Sequence, residues 1–191
     1  MVNLMVRAAR SQLVIVDMQT KLSVAMPADA MQIAAKNCAI LAEAAQMLMI
    51  PSIVTEQYPQ GLGETMPQIM PFLPNKAIEK TTFSACAQPK FNQQLHRDKP
   101  QVVLVGMEAH ICVLQTALDL LQLTISGDNK LAKQVFVVED AVISRNPLNK
   151  LNAINRLQAA GCIISNTESV LFEWLGNANH DAFKALSKLI K

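Results

Sequence analysis

The sequence predicts an α/β protein in which a parallel β-sheet carries helices on both of its faces. Short apolar runs alternate along the chain with longer segments rich in Ala, Leu, Met, Gln and Lys. The apolar runs are nearly continuous, which is typical of strands that are buried on both faces of a parallel sheet. Alternation of strands and helices favours the helical crossovers that join parallel strands. With 191 residues and no internal repeat, we expect residues 1–191 to form a single domain.

Six strands are predicted, each a short apolar run bounded by polar or turn-forming residues. They cover residues 12–16, 51–55, 77–80, 101–105, 134–138 and 162–164. Helices are predicted at 26–50, 89–97, 111–123 and 147–160, and again after the last strand with a break near Gly176. Residues 56–74 are rich in Pro and Gly and predict a long surface loop, and loops of that length are usually functional.

Composition excludes several classes of protein. Hydrophobic residues make up 51% of the chain, which is too many for a disordered protein. The net charge is +2 with both signs interspersed, so no basic patch for nucleic acid is predicted. The longest apolar-rich segment is interrupted by Asp29, Lys36 and Glu43, which argues against a membrane span. The N-terminus does not resemble a signal peptide, and we therefore expect a cytoplasmic protein.

Four cysteines are widely spaced and form no C-x-x-C pair, which excludes zinc-ribbon and thioredoxin-type motifs. In a cytoplasmic protein each cysteine is then either a core residue or a reactive thiol. The four are Cys38, Cys86, Cys112 and Cys162.

Three chemically active residues follow predicted strands. Asp17 ends the first strand, Lys80 ends the third, and Cys112 comes one short turn after the fourth, near the start of a helix. Ligands of open parallel sheets bind beyond the carboxyl ends of the strands, so we expect these residues to share one cleft. A carboxylate can accept the proton of a thiol, while an ammonium and a helix N-terminus both favour the thiolate.

Each of these residues also has an ordinary explanation. Cys112 can be a small buried hydrophobic residue, Asp17 can accept hydrogen bonds from loop amides, and Lys80 can be a solvated surface lysine. The residues alone therefore leave both interpretations open.

The chain resembles the isochorismatase-like cysteine hydrolases over nearly its whole length. Several separated motifs occur in the same order as in that family. They are VIVDMQ (14–19), TEQYP (55–59) with GLG (61–63), EKTTFS (79–84), GMEAHICV (106–113), and DAV (140–142) with SR (144–145).

The resemblance implies a three-layer fold with a six-stranded parallel sheet and a catalytic triad of Asp17, Lys80 and Cys112. It also implies a cis peptide bond between Met107 and Glu108. The backbone amides of Glu108 and Cys112 would then form an oxyanion hole.

The resemblance further implies that Gln19, Tyr58 and Phe83 contact the substrate and that the protein is a homo-oligomer. Nicotinamidases of this family bind a metal through an Asp and two His after the second strand, where this chain has EQYP (56–59). We therefore expect neither a metal nor another cofactor. The polar segment 124–133 is longer than in relatives and is expected to be a surface insertion.

The leading hypothesis is a hydrolase that cleaves a C–N or ester bond of a small molecule through an acyl-enzyme on Cys112. The alternative is a non-catalytic or thiol-redox protein that retains the fold, because a low-pKa cysteine would also suit a thiol sensor. The intact Asp17 and Lys80 favour the hydrolase, since a sensor has less need of a positioned base. We expect a small-molecule substrate, without a nucleic-acid or membrane partner.

Overall fold

A computed structural model describes residues 4–73, 76–125 and 133–191 and contains a six-stranded sheet whose strand pairs are all parallel. The strands are β1 (Ser11–Val16), β2 (Ser52–Gln57), β3 (Ile78–Lys80), β4 (Gln101–Met107), β5 (Gln134–Ile143) and β6 (Ile163–Ser165). Their order is β3-β2-β1-β4-β5-β6. The order reverses between β1 and β4, and ligands of such sheets bind beyond the carboxyl ends at this point. The predicted fold class is confirmed.

Eight α-helices connect and cover the strands within the described residues. They are α1 (Thr20–Ser23), α2 (Ala28–Met47), α3 (Pro59–Leu62), α4 (Pro89–Gln94), α5 (Leu114–Ile125), α6 (Pro147–Ala159), α7 (Thr167–Leu175) and α8 (Phe183–Leu189). None of them combines the length and apolar character that crossing a membrane requires.

Alternate side chains of the strands pack into two separate hydrophobic cores, one on each face of the sheet. On one face, Leu13 and Ile15 of β1 pack in the same cluster as α2, α7 and α8. On the other face, Val14 and Val16 pack with residues of α4, α5 and α6. Because every residue of β1 and β4 is buried, both strands show the continuous apolar pattern from which they were predicted.

Three strands extend at least two residues further at their carboxyl ends than their apolar runs predict. β2 continues to Gln57, β4 passes through Gly106 to Met107, and β5 reaches Ile143. Strand pairing depends on backbone hydrogen bonds, so polar residues can extend a strand where a neighbour is available. In β2, Gln57 pairs with Lys80 of β3. These extensions bring polar side chains into the sheet at the edge where Asp17 lies.

The second half of β5 contains an irregularity that its sequence did not predict. Leu104 pairs with Val137, but Gly106 pairs with Val142, so β5 has extra residues at this point. Asp140 lies in the irregular stretch, and its Oδ1 accepts hydrogen bonds of 2.8 Å from both the amide and the hydroxyl of Thr167. Contacts with α7 therefore hold a stretch of β5 that is polar in sequence.

The helix ends also differ from the sequence prediction by a few residues. α2 ends at Met47, before Met49, which adopts a left-handed φ of 54°. The segment 124–133, predicted as a surface insertion, begins with the last two residues of α5, and residues 126–132 lie outside the described part of the chain.

Gly106 allows β1 and β4 to approach each other where the switch point opens. Its φ is +125°, a conformation that L-residues rarely adopt. A Cβ at this position would lie 2.0 Å from the carbonyl oxygen of Val16. Since Val16 precedes Asp17 and Gly106 precedes Met107, this contact sets the spacing of the two strand ends that carry the candidate site.

We predict that Gly106→Ala destabilises the protein far more than Gly161→Ala. Gly161 also has a positive φ, of +102°, but a Cβ there would meet nothing within 4 Å. Gly161→Ala should therefore cost only the conformational penalty of about 1–2 kcal/mol. Gly106→Ala adds a backbone clash and should cost about 3 kcal/mol or more in the free energy of unfolding. Urea denaturation of both variants measures the difference, and equal losses would contradict this account of Gly106.

Candidate active site

A buried ion pair occupies the carboxyl ends of β1 and β3. The Nζ atom of Lys80 lies 2.6 Å from Oδ2 of Asp17, and both side chains are 0% exposed. Oδ1 of Asp17 accepts a hydrogen bond of 2.7 Å from the hydroxyl of Thr55 on β2. Asp17 has a φ of 52°, which turns the chain sharply out of β1. Each carboxylate oxygen therefore has one fixed donor within the protein.

Lys80 is held by more acceptors than it has protons. Its ammonium lies 2.7 Å from Oε1 of Gln57, and 3.3 and 3.1 Å from the carbonyl oxygens of Thr82 and Phe83. Together with Asp17 these are four oxygen atoms for three N–H donors. The ammonium is therefore fully engaged by the protein, and its position is set by β1, β2 and the loop after β3.

Two residues of this arrangement, Thr55 and Gln57, were not singled out from the sequence. They lie two residues apart on β2 and thus on the same face of the strand. β2 lies between β1 and β3, so one of its side chains reaches Asp17 and the other reaches Lys80. The alternation of side chains along a strand could have indicated them, because it places Thr55 and Gln57 on one face at the end of β2.

Cys112 lies in a turn of π-helix, Ala109–Val113, that joins β4 to α5. The sequence placed it near the start of a regular helix instead. The turn begins at the carbonyl of Glu108, which accepts hydrogen bonds from the amides of Ile111 and Val113. This tight entry buries the thiol, and Cys112 is only 6% exposed.

The Cys112 thiol interacts with both members of the ion pair. Burial and the negative charge of Asp17 raise its pKa from the ordinary 9.0 to about 12, although the positive charge of Lys80 lowers it. From the sequence, Lys80 was expected to favour the thiolate and Asp17 to accept the proton of the thiol. The structure adds burial as the largest effect, so the resting thiol is protonated at neutral pH.

The other cysteines are not distinguished from Cys112 by pKa. Burial raises the pKa of Cys86 and of Cys162 to about 12, and it raises that of Cys38 as well. The feature that sets Cys112 apart is its interaction with a carboxylate and an ammonium together. Position beside Asp17 and Lys80 is thus the property that makes it the candidate nucleophile.

Glu108 connects the nucleophile turn to the end of β5. The peptide bond between Met107 and Glu108 is cis. The Glu108 carboxylate accepts a hydrogen bond of 3.0 Å from the amide of Arg145 and lies 3.1 Å from its guanidinium group. Nearby, Nδ1 of His110 lies 2.9 Å from the hydroxyl of Ser144. The loops after β4 and β5 are therefore joined beside Cys112.

The three residues expected to bind substrate have different surroundings. Gln19 is fully buried, donates to the carbonyls of Gln57 and Gly63, and accepts from the Gln57 amide, so it braces the loop after β2. Tyr58 and Phe83 are 55% and 53% exposed. Both adjoin Lys80 through their backbones, because the Tyr58 amide donates to the Lys80 carbonyl and the Phe83 carbonyl accepts from Nζ.

An open cavity of about 170 Å³ lies at this edge of the sheet and is lined by residues that include Tyr58, Lys80 and Gln88. A larger cavity, of about 410 Å³, lies at the opposite end of β2 beside Ser52 and His96. We assign the chemistry to the carboxyl edge, where ligands of open parallel sheets bind. Within the described residues, no three His, Cys, Asp or Glu side chains are grouped as metal ligands.

Comparison with known proteins identifies the family. The family model of the isochorismatase domain matches residues 11–169. This chain belongs to the isochorismatase family. Its sheet and flanking helices have the fold of isochorismatase-like hydrolases, which confirms the resemblance drawn from the sequence motifs.

Proteins of similar sequence or fold align with most of this chain. Isochorismatase domain-containing protein 2 of Bos taurus is 41% identical over 155 residues, which cover 77% of this chain and 68% of the relative. The structure of the MAR1 ribonuclease from Caenorhabditis elegans matches with a TM-score of 0.86 and 35% identity, covering 97% of this chain and 92% of that one. YcaC of Escherichia coli, an octameric hydrolase of unknown specificity, matches with a TM-score of 0.85 at 21% identity, covering 100% and 91%, which is a likeness of fold.

We predict that the rate at which iodoacetamide alkylates Cys112 keeps rising between pH 7 and pH 10.5 without reaching a plateau. The thiolate is the reactive form, and burial together with Asp17 raises the pKa of this thiol to about 12. Peptide mass spectrometry after limited labelling measures the rate at each pH. In urea-unfolded protein the same thiol should level off near its ordinary pKa of 9.0. A plateau below pH 8 in the folded protein would show that Lys80 outweighs burial.

Proposed function

We propose that this protein is a cysteine hydrolase that cleaves an amide-like C–N or ester bond of a small molecule through an acyl-enzyme on Cys112. The observation that carries the proposal is the electrostatic interaction of one buried thiol with a buried carboxylate–ammonium pair at the carboxyl edge of the sheet. A thiol with an adjacent base and an adjacent positive charge has the components of nucleophilic acyl transfer. Membership of the isochorismatase family supports the assignment.

In the first half of the proposed reaction, Sγ of Cys112 attacks the substrate carbonyl carbon while Asp17 accepts the thiol proton. The carbonyl oxygen becomes an oxyanion, for which we propose the amides of Glu108 and Cys112 as donors. Collapse of this intermediate breaks the C–N or C–O bond, and the departing group takes the proton from Asp17. Because the resting thiol is protonated, the base must act during the attack itself.

In the second half, Asp17 accepts a proton from a water molecule that attacks the thioester carbonyl. The thioester C–S bond then breaks, Cys112 regains the proton, and a carboxylic acid is released. Lys80 takes no part in these proton transfers. With four oxygens around its ammonium, its role is to hold the Asp17 carboxylate in place and to favour the transient thiolate.

Exposed aromatic side chains support a small organic substrate. Tyr58 and Phe83 flank the loop backbone around Lys80, and we propose that their rings contact the substrate. We propose that Gln19 acts behind them by bracing the loop after β2, since its amide already bonds backbone groups. The sequence analysis had instead predicted that Gln19 contacts the substrate directly.

We also propose a homo-oligomer. The E. coli YcaC protein, which shares the fold, is octameric. In this chain Leu148 and Leu151 lie three residues apart on α6, and they are 73% and 57% exposed. Two exposed leucines on one side of a helix supply apolar surface that a second subunit would cover.

Two competing functions make different demands on the site. A thiol sensor needs a depressed cysteine pKa, whereas the pKa of Cys112 is raised.

The name of the MAR1 ribonuclease suggests RNA as a second class of substrate. RNA binding depends on clustered basic residues, and this chain has a net charge of only +2. Incubation with labelled RNA, with Cys112→Ala as control, tests this alternative directly.

We predict that Asp17→Asn and Lys80→Met each lower turnover at least about a hundredfold on any amide or ester that a substrate screen identifies. A positioned proton-transfer group contributes roughly 10²–10⁴ in rate. Cys112→Ala should abolish turnover, and intact mass spectrometry of the wild type should detect the acyl adduct. Cys86→Ala is the matched control, because it removes a thiol of similar pKa that interacts with neither Asp17 nor Lys80.

Stability has to be separated from chemistry in these variants. Removing one partner of a buried ion pair leaves an unpaired charge and destabilises proteins by about 3–5 kcal/mol. The double variant Asp17→Asn/Lys80→Met lacks both charges and should recover much of this loss while staying inactive. Near-wild-type turnover in either single variant, or full turnover in Cys112→Ala, would remove that residue from the mechanism.

We predict that activity persists after treatment with EDTA and gains nothing from added zinc or iron. The proposed steps use only protein groups and water, and EQYP (56–59) lacks the Asp and two His through which nicotinamidases bind a metal after the second strand. The measurement is turnover of chelated, desalted enzyme before and after metal addition. Loss of activity on chelation with recovery on adding either metal would contradict the prediction.

A further inference from the structure

We propose that Thr55 is a positioning residue that fixes the Asp17 carboxylate in the orientation needed to accept the Cys112 proton. This inference rests on the proposed function and extends it to a residue outside the triad. Thr55 is fully buried on β2, and its hydroxyl lies 2.7 Å from Oδ1 of Asp17. The backbone joins the same two residues, because the Asp17 amide donates to the Thr55 carbonyl at 3.1 Å.

The two oxygens of Asp17 have separate partners. Oδ1 is held by Thr55, and Oδ2 is held by Lys80 at 2.6 Å. With one donor on each oxygen, the carboxylate plane cannot turn without breaking a hydrogen bond. Each oxygen keeps a further lone pair that can receive the proton of the thiol. The position of the base therefore depends on Thr55 as much as on Lys80.

Without the Thr55 hydroxyl, Lys80 would be the strongest remaining partner of the carboxylate. An ammonium is a compact charge with several rotatable donors, and it can bind both oxygens of a carboxylate. The carboxylate would then turn toward Lys80 and away from Cys112, with Oδ1 replacing the most distant of the four oxygens around the ammonium, the Thr82 carbonyl at 3.3 Å. Gln57 does not prevent this turn, because its Oε1 contacts Lys80 and its Nε2 donates to the Thr81 carbonyl.

A matched threonine elsewhere in the chain separates positioning from stability. The Thr167 hydroxyl donates at 2.8 Å to Oδ1 of Asp140, and Thr167 is only 3% exposed. It has the same side chain, a similar burial and the same kind of acceptor, but it braces β5 against α7. Thr167→Val should therefore lose stability much as Thr55→Val does while leaving acylation unchanged.

The test compares Thr55→Val, Thr55→Ser and Thr167→Val with p-nitrophenyl acetate as probe ester. We expect Thr55→Val to slow the p-nitrophenolate burst by about 10- to 100-fold, the effect of one hydrogen bond to a charged group. The dissociation constant of the ester should change little. The acidic limb of the burst-rate profile should move to higher pH, because a hydrogen bond to the charged form favours that form. Thr55→Ser should restore both the rate and the pH profile.

Crystal structures of the wild type, Thr55→Val and Thr55→Ser supply a readout that needs no turnover. In Thr55→Val, both carboxylate oxygens of Asp17 should face Lys80, and Thr55→Ser should keep the original orientation. An unmoved carboxylate in Thr55→Val, or a burst and pH profile equal to those of Thr167→Val, overturns this inference. A burst lost in Cys112→Ala but normal in Thr55→Val defeats the inference alone, whereas a burst that survives in Cys112→Ala defeats the proposed function.

Discussion

The buried ion pair between Asp17 and Lys80 is the interaction on which the rest of the site depends. Both side chains are removed from water, and withdrawing an ion from water costs several kcal/mol. Their mutual contact offsets part of this cost, and hydrogen bonds to Thr55 and Gln57 offset more of it. The ends of β1, β2 and β3 thus form one unit. In this unit Thr55 and Gln57 supply hydrogen bonds to the two buried charges, which an apolar interior would not solvate.

Backbone strain is present at the same edge of the sheet. Two non-glycine residues there have a left-handed φ: Asp17 follows β1 with a φ of 52°, and Tyr58 follows β2 with a φ of 37°. Left-handed conformations of non-glycine residues cost about 1–3 kcal/mol and are common at functional sites. Buried ion pairs can often be replaced by apolar residues without loss of stability. An edge that carries both features supports a role in chemistry beyond that of holding the fold together.

The sequence predicted the strands wherever apolar side chains form their buried core, and it placed Asp17 and Lys80 correctly at strand ends. It placed Cys112 one turn after the fourth strand, but at the start of a regular helix, whereas the residue lies in a π-helical turn. It missed the second half of β5, where Asp140 interrupts the apolar run and is held by Thr167 from a distant helix. The sequence also did not identify Thr55 as a residue of the site. Alternation shows which residues share one face of a strand, but not which residues of the neighbouring strands they contact. That depends on the strand order β3-β2-β1, which follows from long-range pairing.

The protonation of Cys112 could not be predicted for a related reason. Neighbouring charges can be inferred from motifs, but burial depends on how the π-helical turn packs, and burial is the largest effect on its pKa. A protonated thiol beside an ion pair has a chemical consequence. A preformed thiolate would react without help, whereas a neutral thiol becomes nucleophilic only when its proton has an acceptor at the moment of attack. In the reaction we propose, the orientation of the Asp17 carboxylate governs the rate of attack, so the hydrogen bonds from Thr55 and Lys80 that fix this orientation act on the reaction through Asp17.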